Sequence, residues 1–149
     1  MFQAKVIKMS QPAEGGPVLT TMQLRYPRFI HAEFLTHRVF SRNASSSRAI
    51  PVKRMLAQVW NDPATPIHWG KNQAGMQARE TLQGWKLKVA KLLWKISGRG
   101  MCIVAWTLDK VGLHKQVANR LLEPWQFISV IVTATEWDNF FALRDHKDA

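Results

Sequence analysis

The chain has 149 residues, 46% of them hydrophobic, a length that supports one packed core and excludes two domains of ordinary size. Lys and Arg number 21 against 10 Asp and Glu, and the resulting charge of +11 favours anionic partners: nucleic acid, an acidic membrane surface or a phosphorylated metabolite. No apolar run approaches the roughly 18 to 20 residues that span a bilayer, and MFQAKVIKMS is no signal-peptide core, so the expectation is one cytoplasmic domain over residues 1–149.

In chain order, the period-two alternation of Phe2 to Met9 predicts a strand. Gly15, Gly16 and Pro17 then turn the chain into a second strand, Val18 to Leu24, making an N-terminal hairpin. Pro27 suits a first helical turn, with Phe29, Ile30, Phe34 and Leu35 on one face and an end near Arg38. The Ser- and Asn-rich stretch Phe40 to Ala49 reads as a loop, because these side chains compete for backbone hydrogen bonds. Pro51 opens a short helix, and Asn61 to Gly75 is a long excursion without periodicity.

From Met76 to Ser97 a helical stripe runs through Trp85, Val89, Leu92, Leu93 and Ile96, beside a Lys91, Lys95, Arg99 ladder that reads as a solvated face. Gly98 and Gly100 interrupt that pattern before a further helix from Met101 to about Lys110. Gly112 breaks it, Leu113 to Leu122 continues helically, and Pro124 stops it. Trp125 to Thr135 is dense in β-branched and aromatic residues and predicts a buried strand, followed by a helix from Glu136 to Arg144. The lone Cys102 lies in an apolar run where a buried thiol fits.

Familiar site types are missing. The only Gly-Lys pair, Gly70 and Lys71, lacks the upstream glycine and following hydroxyl of a phosphate-binding loop, and there is no GxGxxG. His31, His37, His68, His114 and His146 lack the paired spacings of zinc sites, so no metal is expected. What stands out is a polar loop flanked by cations: Thr36, His37, Arg38, then Ser41, Arg42, Asn43 and Ser45 to Arg48. Guanidinium forks and hydroxyls in this density suit an anion, although composition alone favours a plain solvated loop. Arg120 and Arg144 stand in apolar settings, as ligand contacts or as snorkelling surface residues.

Together these residues resemble the flavin-dependent thymidylate synthases. The family signature, Arg-His-Arg, seven residues, then Ser, reads here as Thr36-His37-Arg38, VFSRNAS, Ser46. The fuller pattern HRxxSxNxxSxR is met by His37, Arg38, Ser41, Asn43, Ser46 and Arg48. HKQVANRLLEP resembles the family's Arg-x-x-x-Pro helix end through Arg120 and Pro124, and DNFFALR its Asn-Phe-x-x-Leu-Arg element through Asn139 and Arg144. The likeness is to phage and prophage members and covers essentially the whole chain.

The resemblance implies an α+β fold with a mixed or antiparallel sheet flanked by helices. It implies reductive methylation of dUMP to dTMP, with 5,10-methylenetetrahydrofolate as carbon donor and FAD reduced by NADPH. Ser46, Arg48, Arg120 and Arg144 match dUMP-binding positions, Arg144 being the catalytic one at the pyrimidine ring. His37, Arg38 and Asn139 match FAD-contacting positions. Trp137, Phe140 and Phe141 read as core and stay outside the site. The family uses no cysteine nucleophile and is a homotetramer whose sites draw on more than one chain.

Departures also follow. Thr36 replaces the first arginine of the signature, Glu33 stands where many members have glutamine, and Ala44 where many have glutamate. Family chains continue with a helical segment beginning about where Asp148 and Ala149 end this one, so a missing C-terminal part is expected; His146 is out of register with a family histidine there. Two other readings stand beside the synthase: a basic nucleic-acid-binding module using the Lys91, Lys95, Arg99 ladder, and an inactive remnant of the enzyme.

Overall fold

A computed structural model describes residues 1–75 and 78–145. Contacts divide the chain into two compact units, one formed by Met1–Ser45 with the chain from Phe127 onward, the other by Ser46–Gln126.

The first unit is built on an antiparallel sheet. Strands β1 (Gln3–Ser10) and β2 (Leu19–Pro27) form the expected hairpin, β2 pairs with β4 (Phe127–Ala134), and β4 pairs with β3 (Ser41–Ala44), giving the order β1-β2-β4-β3. Alternation sets the buried face: Ile128, Val130, Val132 and Ala134 of β4 are buried, and join Tyr26, Phe34 and Phe40 in one core. Around the sheet lie a 3₁₀ turn (Arg28–Ile30), α1 (His31–Phe34) and α5 (Asp138–Arg144). The α+β architecture with a mixed or antiparallel sheet that the resemblance implied is thus observed, in its antiparallel form.

The second unit is helical, with α2 (Val52–Asn61), α3 (Gly84–Lys110), α4 (Lys115–Ala118) and a 3₁₀ stretch, Asn119–Trp125. Its core is Met55, Val59, Cys102, Ala105 and Leu122. Pro51 is the N-cap of α2, as its fixed φ suggested. The excursion beyond α2 is anchored by tryptophans: Ala64 N–H donates to the Trp125 carbonyl (2.8 Å), and the Trp94 indole donates to the Ala64 carbonyl (2.9 Å). None of the described helices is long and apolar enough to cross a membrane.

Several expectations need correction. Helix α1 ends at Phe34, well short of Arg38, because Arg42 donates to the carbonyls of Leu35 (2.8 Å) and His37 that would otherwise seek helical or solvent partners. Residues 41–44 form strand, not loop, since pairing with Thr133 to Val130 overrides the turn preference of Ser and Asn. Gly98 and Gly100 do not interrupt α3, which runs unbroken for 27 residues; a Cβ at Gly98 would lie 2.9 Å from the Trp125 ring, so the glycine marks close packing inside the helix. Finally, Leu113 to Leu122 contains only the short α4 before 3₁₀ winding, which accommodates Pro124 without its missing N–H. The helix expected from Met76 begins only at Gly84, because the residues before it bond back to the excursion through the Gly70–Thr81 bridge and the Lys71 N–H to Glu80 carbonyl bond (2.7 Å); Met76 itself and His146 lie outside the described residues.

Candidate functional site

In the first unit, three segments meet at His37. The turn after α1 carries it, β3 supplies Arg42, and α5 supplies Phe140 and Arg144. Arg42 fixes the turn by the two carbonyl bonds described above. The imidazole stacks on Phe40, with centroids 5.9 Å apart, and meets the Phe140 ring edge to face at 4.9 Å. Arg144 Nη2 lies 3.2 Å from His37 Nε2. A guanidinium only donates, so Nε2 accepts and the proton of the neutral ring sits on Nδ1. Partial burial, then the charges of Arg144 and Arg42, lower the His37 pKa below its ordinary value, in agreement with a neutral ring.

A second pair lies in the same unit. The Tyr26 hydroxyl is 2.8 Å from His31 Nδ1, and burial pushes the Tyr26 pKa up to about 12 against the opposing pull of Arg42. Burial first, then Arg28 and Arg42, lowers the His31 pKa. Arg42 thus faces both imidazoles electrostatically.

In the second unit, Ser46 and Arg48 are exposed on a turn closed by a bond from Ala49 N–H to the Ser46 carbonyl (3.1 Å), while Ser47 between them is buried. Asn119 donates from Nδ2 to the carbonyls of Ser47 (2.8 Å) and Ile50 (2.9 Å). Its neighbour Arg120 is exposed, so the backbone carrying Ser46 and Arg48 is tied to the start of the 3₁₀ stretch that carries Arg120.

Of the residues singled out from the sequence, direct contact joins His37 to Arg144. Arg38 is exposed on the turn after His37, and Asn139 is exposed in the first turn of α5. Phe140 and Trp137 pack partly buried against the first core, whereas Phe141 is 54% exposed. Arg42, Phe40 and Asn119 were missed as supports. Arg42 was read among the loop's cations as suited to an anion, and Asn119 gave no signal because its partners are main-chain carbonyls.

No family model and no curated protein matches the sequence. The fold, however, is that of solved nucleotide methylases. The chain is similar to the UMP/dUMP methylase PolB from Streptomyces cacaoi bound with 5-Br UMP, with a TM-score of 0.60 at 13% identity over 91% of this chain and 72% of that one. Against the same methylase bound with 5-Br dUMP the TM-score is 0.54 at 14% identity, over 78% of this chain and 49% of that one.

Proposed function

We propose that the chain is a flavin-dependent thymidylate synthase, converting dUMP to dTMP with 5,10-methylenetetrahydrofolate, NADPH and FAD. The observation that carries this reading is the contact between His37 and Arg144, residues 107 positions apart that the family pattern assigns to the flavin and to the pyrimidine. These two rings must adjoin for hydride to pass between them.

The donor set fits a flavin dinucleotide: Arg38 offers a cation, Asn139 an amide and the neutral His37 ring its Nδ1–H to the pyrophosphate and polar ring edge. When bound, FAD supplies the hydride that NADPH delivers to it. Arg144 contacts the pyrimidine, and because it stays protonated it stabilises negative charge on the ring by hydrogen bonding, without donating a proton. Ser46 orients the substrate, and Arg48 and Arg120 hold the dUMP phosphate. No protein thiol attacks the ring in this scheme. Cys102 accords with that: it is buried, its Sγ faces the Leu56 carbonyl at 3.9 Å, and burial raises its pKa away from the thiolate.

Assembly into a homotetramer belongs to the same proposal. Trp85, Leu92, Leu93, Ile96 and Ile103 of α3 are each more than half exposed, an apolar face that association would cover. The Lys91, Lys95, Arg99 ladder is also exposed, and it is the feature that favours nucleic-acid binding as the competing reading.

Calorimetric titration with FAD and with dUMP tests the assignment. Ser46→Ala is expected to weaken dUMP about tenfold while FAD affinity is unchanged, as loss of one hydrogen bond to a charged ligand requires. Equal loss of both ligands would contradict the roles given to Ser46 and His37. Salt-sensitive oligonucleotide binding without flavin binding would favour the nucleic-acid module.

A further inference from the structure

We infer that Asn119 is a positioning residue that holds the Ser46–Arg48 turn in the shape that receives the nucleotide. The inference rests on the reading of Ser46 and Arg48 as dUMP contacts. Asn119 is 0% exposed, and both N–H groups of its side chain are committed to one short segment, through the carbonyls of Ser47 and Ile50 at 2.8 and 2.9 Å. Carbonyl oxygens only accept, so the amide orientation is fixed by these bonds. Its Oδ1 has no partner among the described residues, which places the side chain's whole contribution on the donor side.

Gln126, 1% exposed, completes the clamp by donating from Nε2 to the Asn119 main-chain carbonyl at 2.7 Å. Burying two amides costs desolvation that an apolar pair would avoid, so their presence requires an offsetting use. The consequence is visible in the turn: Ser47 is drawn inward, while Ser46 and Arg48 on either side stay exposed. Because Asn119 directly precedes Arg120, one side chain sets the turn against the second proposed phosphate contact.

The test uses the full chain and its Asn119→Leu variant, which keeps the heavy-atom count and branching and removes both donors. Steady-state kinetics should give a KM for dUMP raised about tenfold with kcat at saturating dUMP within about threefold of wild type. FAD affinity should stay unchanged, and the Ala49 amide, bonded to the Ser46 carbonyl, should exchange faster with deuterium. A merely structural role would instead lower FAD affinity, kcat and melting temperature together, which overturns the inference. If Asn119→Leu does not fold, Gln126→Met removes the outer bond alone and should raise KM about threefold with the same split. Unchanged KM in the folded variant also overturns the inference. Failure of the wild type to bind dUMP overturns the functional reading, and this inference falls with it.

Discussion

Protonating His37 on Nε2 would remove the acceptor that Arg144 uses and leave two cations 3.2 Å apart. Partial burial, then Arg144 and Arg42, all favour the neutral ring, so the folded pKa lies below the ordinary 6.5. The unfolded chain therefore binds more protons than the folded one in the window just below 6.5. The stabilisation from neutral His37 is complete above that value and is lost as pH falls through the lowered folded value. Histidine NMR titration should find His37 neutral at pH 6.5, protonated on Nδ1. In Arg144→Gln the pKa should rise only part of the way, because burial is the larger cause. A wild-type value at or above 6.5 would contradict the contact. At this scale the sequence spoke clearly for His37, Ser46 and Arg144, whose types and spacings form a pattern. It read Arg42 only as one more cation of an anion-binding loop and was silent on Asn119, because the work of both is done on main-chain carbonyls that no spacing announces.

Helix α3 offers a paired experiment on two glycines two positions apart. An added Cβ at Gly98 would meet Trp125 Cδ1 at 2.9 Å and Cγ at 3.0 Å, and that indole is held by its bond to the Trp94 carbonyl at 3.0 Å. Gly98→Ala should therefore destabilise the protein by about 1 to 2 kcal/mol despite the better helix propensity of alanine. At Gly100 nothing lies within 4 Å of the added carbon, so Gly100→Ala should stabilise by about 0.5 to 1 kcal/mol. Thermal or denaturant unfolding reads both; equal effects would refute the packing role of Gly98. The same helix explains a limit of sequence reading. Alternation marked the hairpin, Pro51 the start of α2, and β-branched and aromatic density β4, because each of these signals is local. Glycines in α3 looked like a stop because propensity is local, while the use made of Gly98 depends on Trp125, which lies beyond the helix. Strand β3 was hidden for the matching reason: its four residues favour turns, and only pairing with β4 makes them strand.

Across the whole molecule, the apolar face left on α3 and the charge of +11 make different demands. Covering that face by self-association predicts a tetramer in sedimentation velocity, reduced to smaller species by Leu92→Glu, which places a charge where Leu92 is 56% exposed. A monomeric wild type would remove assembly from the proposal. The central claim, that these residues methylate dUMP through a flavin, is tested most directly by tritium release from C5-labelled dUMP with FAD, NADPH and 5,10-methylenetetrahydrofolate present. The account predicts release that requires all three additions and is abolished by Arg144→Ala. Wild-type protein that binds dUMP and FAD yet releases no tritium would contradict it.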